Sequence, residues 1–158
     1  MNTTLNALAS AIYVSRQTLA GVNITEDDQK IRASGLYPSW AAGIHKVGDT
    51  FNTFDGVHAE GAEWEQTWEV FQEYDNSVYP DITPGNAAWY TFNRPLHGKS
   101  PETARPFVPV QGSHDTYKVG EYMIWTDGKI YPCIIETNFS PDAYRDAWGD
   151  PIDAEVTS

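Results

Sequence analysis

Apolar positions recur first at helical spacing. Leu5, Leu8, Ile12 and Leu19 are separated by three, four and seven residues, a step that sets them on one face of a helix over residues 2–20. Asn2, Thr3 or Thr4 supplies a capping side chain, and Gly21 a stop. The stripe is narrow, flanked by Ala7, Ala9 and Ala11, and a helix this short does not persist alone in water. Two readings stand: it docks on its own domain, or it forms an intersubunit seam. A second start signal follows at Thr25, which precedes Glu26, Asp27 and Asp28. Acids in a first turn suit the positive end of the helix dipole, and Thr25 with Asp28 approximates a capping box. The pattern predicts a helix over 26–33 that ends at Gly35. Leu36-Tyr37-Pro38-Ser39-Trp40 is then extended or a turn, because Pro38 disfavours helix at Tyr37.

Beyond Trp40 the period shortens to two, with frequent Gly, Pro, Asp and Asn. Residues 50–54 and 67–71 are expected to pair, with the acidic stretch 57–65 as an extended hairpin loop. Over 64–74, Trp64, Gln66, Trp68, Val70, Gln72 and Tyr74 share one face. Glu65, Thr67, Glu69, Phe71 and Glu73 share the other, which is expected to be acidic and wet. Residues 121–126 and 129–135 flank Asp127-Gly128, a hairpin signal because this pair supplies the positive φ of a tight primed turn. The pattern divides the chain into an N-terminal helical attachment or oligomerisation segment (1–36), a first β repeat (37–92), a Pro-rich connector (93–114), a second β repeat (115–150) and an acidic tail (151–158) expected to fray unless held. The predicted fold class is mainly β with N-terminal helices.

Composition narrows the function. The 158 residues suit one domain or two very small ones. At 41% hydrophobic and 13% aromatic, with six Trp and nine Tyr, the chain holds enough bulk for a core. A net charge of -12 repels phosphate backbones and anionic membranes, so nucleic acid and membrane insertion are not expected. There is no apolar run of spanning length, and the N-terminus lacks the flank and cleavage site of a signal peptide. The single cysteine, Cys133, reads as a small buried hydrophobe without an activating pattern.

The chain also repeats itself. Lys46-Val47-Gly48-Asp49 returns as Lys118-Val119-Gly120-Glu121. Each is followed by an aromatic, Phe51 or Tyr122, then by a strand led by an aromatic, Trp68-Glu69-Val70 or Tyr131-Pro132-Cys133. A Pro-containing loop comes next, and each copy closes on Ala-Trp, Ala88-Trp89 or Ala147-Trp148. This predicts two small three-stranded antiparallel units, each with a Trp folded over one face. One Trp buries on the order of 200 Å². Units of this size, without disulfide or metal, are marginal alone. They are therefore expected to pack on each other, on the N-terminal helices or on other subunits.

The order aromatic, Val-Gly-Asp, strand, Asp-Gly, aromatic strand, Pro loop, Trp resembles carbohydrate-binding module family 5/12, the chitin-binding type 3 modules. With Leu36-Tyr37-Pro38-Ser39-Trp40 ahead of it, the chain is similar to small virion proteins of tailed bacteriophages of Gram-positive gut bacteria. The resemblance covers about half the chain, the second copy more closely than the first. It implies a non-enzymatic, tail-associated virion protein, made in the host cytoplasm and carried on the particle exterior. Its implied partners are other virion subunits, in a homo-oligomer with a trimer favoured, and cell-surface polysaccharide. Two alternatives are an active carbohydrate-binding module for wall polysaccharide and a capsid decoration protein. In the sugar-binding family two adjacent aromatics form the platform. Those positions fall at Gln72 and Glu73, and at Ile135 and Glu136, so the platform itself does not carry over.

Candidate chemistry is sparse. Paired carboxylates on the 65–73 face match glycoside cleavage only in principle, and no catalytic residues are assigned. His45, His58, His97 and His114 lack ligand spacing, so no metal or cofactor is expected. Tyr74, Asp75, Asn76, Tyr79, Asn86 and Tyr90 are the candidate glycan or interface contacts, because an aromatic beside polar loop residues stacks on a sugar and bonds its hydroxyls. Trp40, Trp68, Trp89, Tyr131 and Trp148 are the expected core. Arg94, His97, Lys99 and Arg105 form one basic cluster in the connector, expected either to meet an acidic neighbouring subunit or to stay solvated.

Overall fold

The computed structural model describes residues 25–54 and 62–153. The stripe Leu5, Leu8, Ile12 and Leu19 lies outside them. Helix α1 spans Asp27–Arg32 and passes into a 3₁₀ turn at Ser34–Leu36. Its acidic first turn and basic last turn match the helix dipole. The cap is Glu26, not Thr25, and it makes no side-chain cap bond. The Asp28 carboxylate instead accepts from the Lys99 amide at 2.6 Å and from the Thr103 hydroxyl. A six-residue helix has no stability of its own, and α1 is held by what it touches.

The body is mainly β, in several small sheets. Strands β1 (Ile44–His45) and β4 (Tyr74–Asp75) pair antiparallel. Strands β2 (Thr50–Asn52), β3 (Thr67–Val70) and β5 (Asn93–Pro95) form a three-stranded antiparallel sheet in the order β2-β3-β5. Phe51 faces Trp68, and Val70 faces Asn93. The β2–β3 pairing is the expected one; β5 lies where the connector was placed. The face expected to be wet is covered in its middle, while Glu65 and Glu73 at its ends are exposed. Thr67 is buried, and Glu69 is ion-paired to Lys30 of α1 and to Arg94 of β5. Phe51, Trp68, Val70, Tyr74, Ile82, Trp89 and Val108 make the first core.

The second sheet holds β6 (Arg105–Pro106), β7 (Tyr122–Ile124), β8 (Lys129–Pro132) and β9 (Ile152–Asp153), in that order. It has four strands, one more than the expected three. Strand β6 comes from the connector and runs parallel to β7, and β9 uses the start of the acidic tail. The Asp-Gly hairpin forms, with a different turn. The Gly128 N–H donates to the Trp125 carbonyl at 2.9 Å, and Gly128 alone follows in the left-handed region at φ +80°. This is the three-residue connection of a hairpin bulge, not a two-residue primed turn. Tyr117, Met123, Tyr131, Cys133, Ala147 and Trp148 make the second core.

The repeat is real at the level of register. Gly48 and Gly120 lie at φ +94° and +92°. Each turn is closed by its own acid: the Lys46 N–H donates to Asp49 Oδ2 at 2.9 Å, and the Lys118 N–H to Glu121 Oε1 at 2.8 Å. The Gly48 N–H then bonds the Val70 carbonyl, as the Gly120 N–H bonds that of Cys133. Two sequence matches shift under this register. Phe51 pairs with Trp68 as Met123 pairs with Tyr131, so the partner of Phe51 is buried Met123 rather than Tyr122. Trp89 and Trp148 are not equivalent either. The Phe92 carbonyl accepts from the Phe71 N–H where the Ala147 carbonyl accepts from that of Ile134. Trp148 therefore occupies the place of Asn93, while Trp89 enters its core from the preceding 3₁₀ turn, Ala87–Thr91. Both indoles are buried all the same.

The two units pack on each other through the connector. Val108 joins the first core and Phe107 packs on the second, and the Val108 N–H donates to the Tyr117 hydroxyl at 3.2 Å. His97 stacks on Tyr117 with centroids 3.8 Å apart and bonds Glu121 at 3.0 Å. Gln66 reaches the Pro106 carbonyl through its side-chain amide at 2.6 Å.

Candidate functional site

Strand β4 and the loop after it build a groove of about 420 Å³ on the first unit. Its walls include Glu73, Asp75, Val78, Tyr79, Asp81 and Ile82. Tyr79 is 64% exposed, and Val78 beside it is exposed as well. The loop is ordered by its own bonds. The Tyr79 N–H donates to the Asp75 carbonyl at 3.0 Å, and the Ile82 N–H to the Tyr79 carbonyl at 3.1 Å. The Ser77 hydroxyl and amide both donate to Asp75 Oδ1. These bonds hold the Asp75 carboxyl below the usual carboxylate range, so it is ionised at neutral pH. A flat ring carried on an ordered loop, with carboxylate acceptors near it, can stack on one face of a ligand while those acceptors bond hydroxyls at its edge.

The other expected contacts divide by burial. Tyr74 is 5% exposed and belongs to the core. Its hydroxyl accepts from Trp40 Nε1 and donates to Asn93 Oδ1, both at 3.2 Å. Burial pushes that phenol up to about 12. The ring is not available for stacking, which removes it from the site. Asn76 is buried too, its Oδ1 accepting from the Gly43 N–H at 2.7 Å. Asn86 caps the 3₁₀ turn by accepting from the Ala88 N–H. Tyr90 packs edge-on against Trp68, and burial pushes its phenol up to about 12. Of the six expected residues, Tyr79 and Asp75 remain on the groove's open face. Val78 and Asp81 are not among the expected contacts although they lie between Asn76 and Asn86 in the same loop, and Glu73, expected only on the acidic strand face, joins them at the groove.

The core expectation stands for Trp68, Trp89, Tyr131 and Trp148, all buried. Trp40 is half-buried, edge-on to Trp89 and stacked on His45. Three of the four basic residues of the connector are tied inside the chain, and Lys99 stays exposed. Arg94 forks onto Asp27 at 2.9 and 2.8 Å and onto Glu69 at 3.0 Å. His97 is buried against Glu121. Arg105 donates to Ser34 at 3.3 Å and lies over the Phe54 ring. Lys99 approaches Glu26 at 3.9 Å, exposed. The reason is proximity in three dimensions: α1 brings its acids to a segment far away in sequence.

Burial by itself would push the Asp27 carboxyl up. The hydrogen bonds and charge of Arg94, with the His97 N–H, outweigh it and hold the group below the usual range. Glu69, the strand carboxylate closest to an acid–base role, is committed to Lys30 and Arg94. Cys133 is buried, and burial pushes its thiol up to about 11. Among the described residues no group of three or more His, Cys, Asp or Glu side chains is placed to hold a metal ion. No described helix is long and apolar enough to cross a membrane. No protein-family model, curated protein or solved structure matches the chain.

Proposed function

We propose that this protein is a non-enzymatic component of a tailed-phage virion, built as a small homo-oligomer, that binds host-surface polysaccharide through the groove beside Tyr79. The observation that carries the binding reading is an exposed aromatic on a loop ordered by backbone bonds, lining one groove with Glu73, Asp75 and Asp81. Sugar rings offer apolar C–H faces and hydroxyl edges, which suit a ring bordered by acceptors. The resemblance of the repeats to chitin-binding modules supports the same ligand class. The virion reading rests on the resemblance alone.

The test is retention on purified Gram-positive cell walls, read beside a glycan array. Tyr79→Ala is expected to weaken retention about tenfold, the equivalent of about 1.4 kcal/mol of stacking. Its melting temperature should not change, because the ring is exposed. Undiminished wall retention by that variant overturns the site. Immunogold labelling of intact particles tests the virion assignment, and light-scattering mass tests the oligomer.

A further inference from the structure

We infer that the second unit carries a second sugar-contact site over Phe139 and Tyr144, so that one chain grips a polysaccharide at two points. This rests on the reading of the Tyr79 groove as a glycan contact. The argument starts from register. Tyr74 faces His45 across β1 and β4, and Thr137 faces Tyr117 in an isolated antiparallel bridge. Each pair lies at the same remove from the Lys-Val-Gly turn and from the residue that closes it, Val70 or Cys133. Glu136-Thr137-Asn138 thus takes the strip that Glu73-Tyr74-Asp75 takes in the first unit.

A groove lies over that strip in both units. The second has a volume of about 330 Å³ and is lined by Thr116, Glu136, Thr137, Asn138, Phe139 and Tyr144. Its aromatics stand in solvent: Phe139 is 59% exposed and Tyr144 40%. They are also held. The Phe139 N–H donates to Thr137 Oγ1, and its carbonyl accepts from Trp148 Nε1, both at 3.0 Å. The Tyr144 N–H donates to the Ser140 carbonyl at 2.9 Å. The closing indole of the unit therefore anchors the backbone under the exposed ring. A backbone ordered before binding loses little conformational entropy when the ring above it is engaged.

The polar lining differs from the first groove in one useful way. Asn138 stands where Asp75 stands, and it accepts from the Thr116 hydroxyl at 2.7 Å through Oδ1. Its amide N–H groups, with the Glu136 carboxylate, offer donors and an acceptor to hydroxyls that can do both. The second groove is thus less acidic than the first and suits an uncharged, hydroxyl-rich residue of the same polymer.

The probe is polysaccharide purified from the wall of a Gram-positive gut bacterium, used intact and as short fragments, with the full chain. Fragment titration should give two sites per chain in the wild type. Tyr79→Ala should leave one, and Phe139→Ala combined with Tyr144→Ala should leave one. Retention on the intact polymer should fall about tenfold for Tyr79→Ala, and by a similar factor for Phe139→Ala combined with Tyr144→Ala, because each change weakens one of two linked contacts. A single fragment site in the wild type overturns the inference and leaves the Tyr79 reading in place. Wild type that binds neither fragments nor polymer overturns both. A changed oligomeric mass in the Phe139→Ala, Tyr144→Ala variant, with fragment binding intact, assigns the groove to a subunit contact and overturns the inference.

Discussion

Tyr74 and Tyr79 have the same side chain five residues apart and opposite fates. Tyr79 projects from a loop that is closed on its own backbone. Tyr74 sits in β4, and its hydroxyl joins Trp40 to Asn93 inside the first core. Removing the hydroxyl leaves the half-buried Trp40 indole N–H and the buried Asn93 amide oxygen without that partner. Tyr74→Phe is expected to cost about 1–3 kcal/mol, read as a lower urea midpoint with an unchanged slope. Sequence alone ranked the two tyrosines together, because burial at this position depends on Trp89 and Asn93 arriving from a distant segment. The same holds for Glu69. Alternation placed it correctly on the face opposite Trp68. Lys30 of α1 and Arg94 of β5, brought beside that face, turned an expected wet carboxylate into a salt-bridge partner.

At the scale of elements, the two Lys-Val-Gly-acid turns give the clearest symmetry. Gly48 and Gly120 share a left-handed φ, and no atom crowds a Cβ built at either position. The cost of Gly48→Ala or Gly120→Ala is therefore conformational alone, about 1–2 kcal/mol each, and the two should match. Unequal losses in chemical denaturation would show that the turns are not equivalent. Helix α1 makes a pH prediction. Asp27 has a carboxyl pKa below its ordinary value, because Arg94 and the His97 N–H outweigh the cost of burial. Asp28 is lowered as well, where Thr103, the Lys99 N–H and Arg32 outweigh desolvation. A lowered folded-state pKa stabilises fully above the unfolded value of about 3.9 and is lost as pH falls through the folded value. Amide exchange of residues 27–32 is thus expected to accelerate below about pH 4, before the sheets open, and Asp27→Asn should remove most of that dependence.

At the scale of the whole molecule, the connector is structural. It supplies β5 to one sheet and β6 to the other, and it sends Val108 into the first core while the Val108 amide bonds Tyr117 of the second. Two units joined this way are expected to unfold together. Tryptophan fluorescence, which reports Trp68 and Trp89 in the first core and Trp148 in the second among the six, and far-ultraviolet circular dichroism should trace one coincident transition. Val108→Ala removes two buried methyl groups and should cost about 2 kcal/mol. That loss should lower the single midpoint. Two separated transitions would mean the units are independent. The marginal size of each unit alone is met here by its neighbour within the same chain.

Sequence by itself determined the parts governed by neighbours along the chain: the acidic-to-basic order of α1, the pairing of 50–54 with 67–71, the hairpin at Asp127-Gly128 and the two glycine turns. These depend on local dihedral preference and on period-two alternation, and both are written within a few residues. Tertiary structure decided which tryptophan fills which core, because Trp148 and Asn93 share a register position that their surrounding letters do not reveal. It also decided that Arg94 and His97 are interior ties and not a basic surface. It left Tyr79 exposed while Tyr74 was buried. Those outcomes depend on contacts between residues dozens of positions apart, where burial energy and charge pairing override local preference.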